Sequence, residues 1–159
     1  MQTAGVIQNY ALFGAVAEMR YTEPVVTLDV DVLVALPATE EIDALAGIYQ
    51  FCAKKGYSPA GEAVLVGAWP VQFLPAFNTL TREAMENADT ADFDGVALRV
   101  VRPDYLAVIA LSVGRVKDRE RVLNLLESNC TNREEVGSLA ARYGMSEAWL
   151  RFAKRFIDA

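Results

Sequence analysis

The stretch Thr27-Leu28-Asp29-Val30-Asp31-Val32-Leu33-Val34 sets two aspartates two residues apart inside a run of valine and leucine. Such a run reads as a β-strand, expected here over residues 25–34. On a strand, residues i and i+2 point to the same face. Asp29 and Asp31 therefore stand side by side, on an element otherwise suited to burial. Two carboxylates that close repel, and each needs solvent or a partner. The pair can hold a divalent cation, because hard oxygen ligands suit Mg²⁺. Alternatively, the end of the strand dips into solvent. A D-x-D taken alone leaves both readings open.

Composition narrows the chemistry more than the fold. The chain has 159 residues, the size of one domain or of one domain with a small appendage. With 53% hydrophobic and 23% charged residues, it can bury a core of its own. It contains no histidine, which excludes Ser-His-Asp and Cys-His catalysis and His-ligated zinc. The two cysteines, Cys52 and Cys130, make neither a disulfide framework nor a zinc set. Acid–base or metal chemistry must therefore run on Asp, Glu, Lys, Tyr or a thiol. The first residues lack a secretory pattern, and prolines interrupt the uncharged stretch from Ala63 to Thr81. These features lead us to expect a soluble, cytoplasmic protein.

Charge is unevenly placed. Residues 1–98 hold 4 Lys/Arg against 13 Asp/Glu, a balance of −9. Residues 99–159 hold 11 against 8, a balance of +3. An acidic metal-binding half and a basic half suit a nucleotide phosphate with its metal, and ordinary solvated helix surface gives the same counts.

Taken in order, short apolar runs at Gly5–Ile7 and Tyr10–Phe13 lead to Gly14. A short helix is predicted from Ala15 to Tyr21, ended before Pro24. A strand or extended run that feeds a glycine and then a helix start offers backbone N–H groups to an anion. After the Asp29/Asp31 strand, Thr39 is the predicted N-cap of a helix with Glu40 and Glu41 in its first turn. That helix has apolar spacing through Cys52 and ends at Gly56. Ala63–Trp69 and Pro70–Leu74 read as adjacent strands or a bent hairpin. Thr81–Ala88 reads as a short helix, Phe93-Asp94-Gly95 as a turn, and Val96–Val101 as a strand. From Pro103 the pattern is helical: Asp104–Val113, Lys117–Leu126, Asn132–Tyr143, and a last helix capped by Ser146. The expected fold class is α+β, a small mixed sheet with flanking helices over residues 1–101. A helical C-terminal portion over residues 102–159 is expected to pack on it.

The order of these pieces resembles the nucleotidyltransferase fold of the DNA polymerase β type. It is more closely similar to the small bacterial nucleotidyltransferases of the toxin–antitoxin class, the AbiEii-like group. The residues that carry the resemblance are Tyr10–Ala17, Thr27–Val34, Val71–Pro75, Glu83–Ala88 and Arg115–Arg119, and it covers roughly residues 8 to 128. The resemblance implies that Gly14 and Ala15 form the turn that holds a triphosphate. It implies that Asp29 and Asp31 are the metal ligands and catalytic carboxylates for Mg²⁺ or Mn²⁺. It also implies that Lys117 contacts a phosphate, with Arg115 and Arg121 assisting. The substrate is then a nucleoside triphosphate and the acceptor a hydroxyl on RNA, protein or a small molecule.

Three positions depart from the family pattern. Ala15 stands where a glycine or serine is usual, and Val25 where an arginine is frequent. Gln72 stands where the third carboxylate belongs. A glutamine is a neutral oxygen ligand, weaker for a metal and without use as a base. Glu62 is the nearest acid that strand pairing can bring to it. Two readings follow: a nucleotidyltransferase, or a catalytically degenerate module of the same fold that binds nucleotide and a partner protein. Nucleic-acid binding through the basic half is a weaker third reading, opposed by a pI of about 4.7.

Overall fold

The computed structural model describes residues 1–38 and 43–158. The predicted cap at Thr39 and the acids after it lie outside the described residues. The chain divides into two compact units, Met1–Ala17 with Val26–Val101, and Glu18–Val25 with Arg102–Ala159.

The first unit is built on a seven-stranded mixed sheet in the order β3-β4-β5-β2-β1-β7-β6. Its strands are β1 (Asn9–Phe13), β2 (Val30–Ala35), β3 (Ser58–Ala60), β4 (Ala63–Val66), β5 (Trp69–Pro75), β6 (Asp89–Phe93) and β7 (Val96–Val100). The central strand β2 runs antiparallel to β1 and parallel to β5. Val32, Leu33 and Val34 are buried in succession, which an alternating half-exposed strand would not allow. Helix α2 (Ala46–Lys54) buries Ile48 and Cys52, one turn apart, in a core with Ile7, Val34, Val64 and Phe73. Helix α3 (Thr79–Glu86) packs on β1 and β2 and buries Leu80, Ala84 and Met85. Arg99 of β7 ties these layers together, donating to Asn9 Oδ1 and to the last carbonyls of α3 at Met85 and Glu86.

Several expected boundaries shift for local reasons. The strand expected from Val25 begins only at Val30. Upstream, the Thr27 hydroxyl lies 3.0 Å from the Asp29 carbonyl oxygen, a local bond that bends the chain instead of extending it. Val26 and Leu28 are accordingly left 96% and 83% exposed. Helix α3 starts two residues early because the Asn78 side chain caps it, accepting from the Thr81 N–H at 2.8 Å. Strands β3 and β6 escape the sequence pattern. The first has three residues with a central proline, and the second buries only Ala91 between charged or polar neighbours. Both are sheet edges, where strands are short or polar.

The second unit is helical: α4 (Pro103–Val113), α5 (Val116–Glu127), α6 (Arg133–Arg142) and α7 (Ser146–Phe156). Six consecutive residues of α4, Tyr105–Ala110, are buried, so this helix is apolar all round and the others pack on it. Helices α6 and α7 approach closely at Gly137, where an added Cβ would lie 2.8 Å from the Trp149 indole nitrogen. Asn132 caps α6 through two backbone N–H groups. Ser146 is the first residue of α7 and not its cap; Met145 holds that position without a side-chain bond. Among the described residues, no helix is long and apolar enough to cross a membrane.

Candidate functional site

Strand register brings Asp31 beside Gln72 and next to the strand end that leads into Gly14. Asp31 pairs with Phe13 on β1, the residue just before Gly14, and with Gln72 on β5. Paired residues on neighbouring strands turn their side chains to the same face, so Asp31 and Gln72 are side by side. Beyond Asp31 the strand is buried, whereas Asp29 and Asp31 are half-buried. The carboxylates therefore stand where the central strand emerges from the core.

Gly14 is fitted to Asp31 in two ways. Its φ of +62° lies in the left-handed region that favours glycine. A Cβ built on it would sit 2.1 Å from Asp31 Oδ2 and 2.9 Å from Cγ, well inside contact distance. The turn backbone is thus pressed onto the carboxylate. Ala15 follows on α1 (Gly14–Glu18), half-buried, with its backbone N–H as its only polar donor.

Asp29 lies in the bend just before β2 and not on the strand itself, so the strict i, i+2 alternation does not place it. The Thr27 hydroxyl places it instead, 3.2 Å from Oδ1, while the Asp29 N–H reaches the same hydroxyl at 3.5 Å. Thr27 is the residue that sequence reasoning passed over. Its signal was a hydroxyl two residues before an aspartate, a common local turn pattern.

Gln72, where the resemblance implies a third carboxylate, is a neutral side chain. Gln72 is the register partner of Asp31, and its amide donates to Glu62 Oε2 at 3.5 Å. Glu62 is exposed and sits in the two-residue turn between β3 and β4, not on the strand. No group of three or more acidic, histidine or cysteine side chains able to hold a metal occurs among the described residues. Asp29 and Asp31, two residues apart where the central strand begins, are the two carboxylates the sequence offers to such an ion. That pair fits an Mg²⁺ that takes its other ligands from water and substrate phosphates, as this ion commonly does. It does not fit a cage made wholly by the protein.

The residues expected from α5 belong to the second unit. Lys117 is exposed on the first turn of that helix. Arg115 and Arg121 are each paired with a carboxylate of the same unit. Asp118 Oδ2 accepts from the Arg115 backbone N–H at 3.1 Å and from its Nε at 2.7 Å. Arg121 pairs with Glu18 at 2.8 Å, and Asn124 donates to the other oxygen of Glu18 at 3.1 Å. Burial pushes the Asp118 carboxyl up, but the hydrogen bonds and charge of Arg115, with the charge of Arg121, outweigh it. The group is held below the ordinary carboxylate range. Three cavities of the second unit are lined by its own side chains, without Asp29 or Asp31.

The fold, with its D-x-D at the start of the central strand and a glycine turn beside it, is a nucleotidyltransferase-like α+β fold. The chain is similar to the antigenic nucleotidyltransferase-like protein from Paracoccidioides brasiliensis, at 13% identity and a TM-score of 0.52, over 89% of this chain and 84% of that one. It is also similar to the antibiotic-resistance factor ANT(2'')-Ia, at 13% identity and a TM-score of 0.51, over 92% and 87% of the two chains. No family model and no curated protein matches it.

Proposed function

We propose that this protein binds a nucleoside triphosphate with its Mg²⁺ or Mn²⁺ at Asp29 and Asp31, and transfers a nucleotidyl group to a hydroxyl acceptor. The observation that carries the reading is the seating of the Gly14 turn directly on the Asp31 carboxylate. It brings the backbone of the turn against the carboxylate that would hold the ion. Asp29 and Asp31 would bind the metal, and the turn would orient the phosphates. The metal, when bound, supplies charge neutralisation of the phosphates and of the displaced oxygen. Positioning and electrostatics supply most of the catalysis in phosphoryl-type transfer. The motif spacing over residues 8–128 supports the finer placement among bacterial toxin–antitoxin nucleotidyltransferases of the AbiEii-like group. A cytoplasmic setting and an RNA or protein acceptor accord with that placement.

Calorimetry with ATP, GTP, CTP and UTP in the presence of Mg²⁺ tests the reading. At least one triphosphate is expected to bind, and Asp29→Ala to weaken it by about a hundredfold or more. Absence of binding by all four would overturn it.

A second reading has its own support in Gln72. Nucleotide binding without transfer is what a two-carboxylate set predicts, since a second ion has no third acid to share. Under that reading the protein is a binding or regulatory module. Gln72→Asp is expected to raise Mn²⁺ affinity in a titration followed by electron paramagnetic resonance. Transfer of radiolabelled nucleotide to RNA or protein by the wild-type chain rules this second reading out.

A further inference from the structure

The second unit carries an open cavity of about 310 Å³ lined by α4, α5 and α7. Its apolar lining comes from Leu111, Val122 and Phe152, and its charge from Arg119, Arg151 and Arg155. No carboxylate is among its lining residues. Helix α7 supplies much of the wall as a stripe at helical spacing, with Ala148, Arg151, Phe152, Arg155 and Phe156 at i, i+3, i+4, i+7 and i+8.

These arginines differ from the others of the unit. Arg115 and Arg121 are paired with Asp118 and Glu18. Arg119 and Arg155 have no carboxylate at ion-pair distance among the described residues. Their guanidinium carbons lie over the Phe156 ring instead, 5.8 and 5.2 Å from its centre. Arg151 meets Glu147 at 3.4 Å on the exposed helix surface, where such a pair is worth little. Three cations around an apolar floor, with no acid in the wall, are electrostatically complementary to an incoming anion.

The footprint exceeds that of a small anion. Val116 stands one turn from Arg119 on α5 and is 63% exposed, and Phe156 of the lining is 37% exposed. The geometry points to a docking site for an acidic, leucine-rich segment of a partner protein. An aliphatic side chain of that segment rests on Leu111 and Phe156, the large apolar side chains of the lining that are not buried, and flanking aspartates or glutamates enter the guanidinium forks. A nucleic acid fits less well. The Phe156 ring that would stack a base is already covered by guanidinium groups, and the net charge of −6 repels a polyanion.

Fluorescence anisotropy on the full chain tests this with a labelled amphipathic peptide whose leucines are flanked by glutamates. The matched probes are the same peptide with lysines for glutamates and a uridine oligonucleotide. The glutamate peptide is expected to bind and the other two to fail. The double variant Arg119→Glu/Arg155→Glu is expected to lose about tenfold or more in affinity. Arg151→Glu, at a side chain 73% exposed, tests the same charge without touching the packing and is expected to lose affinity in the same direction. Equal binding of the lysine peptide, unchanged affinity in both variants, or preferential binding of the oligonucleotide overturns the proposal. So does self-association of the chain through this face without peptide binding.

Discussion

Two pairs of carboxylates in this molecule have opposite surroundings. In the helical unit, Glu18 and Asp118 are buried, and each is met by its own arginine. In the sheet unit, Asp29 and Asp31 are half-buried at the mouth of the central strand. Asp29 is held by a threonine hydroxyl, with no cation at ion-pair distance among the described residues, and Asp31 is pressed by a glycine turn. A buried carboxylate with a matched guanidinium is part of the fold, because removing either partner strands a charge. A carboxylate oriented by a hydroxyl and left without an internal cation keeps its charge for something brought from outside. The family resemblance implies phosphate contacts for the α5 arginines and metal binding for the D-x-D; in the structure the arginines are paired with carboxylates, and Asp29 is held by a hydroxyl.

Exchanging the roles of the two pairs breaks or sharpens this contrast. The largest expected effect is on stability, from Glu18→Ala. It leaves the nearly buried Arg121 without its close partner and is expected to cost about 3–5 kcal/mol in chemical denaturation. Asp29→Ala, by the same measurement, is expected to stay within about 0.5 kcal/mol of wild type. Equal losses at the two positions would erase the distinction.

Gly14→Ala comes next. It forces a Cβ into Asp31 at a positive φ and is expected to cost about 1–3 kcal/mol. It should also reduce Mg²⁺-dependent nucleotide binding, whereas alanine at Gly144, which also has a positive φ but open space around it, should cost stability alone. Similar nucleotide affinity in the two variants would separate the turn from the site.

The smallest effect is a pH dependence. Asp118 titrates below its unfolded value, so its contribution is complete above the ordinary carboxylate range and is lost as pH falls through the lowered folded value. Asp118→Asn should therefore flatten part of the acid limb of a stability–pH curve. A limb of unchanged slope would show that Asp118 and its arginines are not coupled as their geometry implies.

Much of the fold was legible because apolar periodicity and turn residues act locally. The central strand, the hairpin before Pro75, α4 and the helices after it follow from runs and spacings that any register would respect. Strands β3 and β6 were not legible. An edge strand with a proline, or with one buried residue, has almost no pattern of its own and exists because a neighbour offers hydrogen bonds. The N-terminal end of β2 was misplaced for a related reason. Thr27 competes for the backbone through its hydroxyl, and a propensity reading of valines does not see that competition.

The sequence by itself determined which atoms are available. It supplies two aspartates two residues apart, a glycine upstream, no histidine, and a glutamine where the resemblance implies a third acid. Tertiary structure decided what those atoms face. Register set Gln72 beside Asp31 and put Gly14 against its carboxylate, since strand pairing joins residues far apart in the chain. Packing of α5 gave Arg115 and Arg121 to Asp118 and Glu18, while Arg119 on the same helix was left facing an apolar cavity. An arginine in a sequence is a charge of unknown employment, and only the carboxylates that folding brings within reach decide whether it is structural or still free to bind.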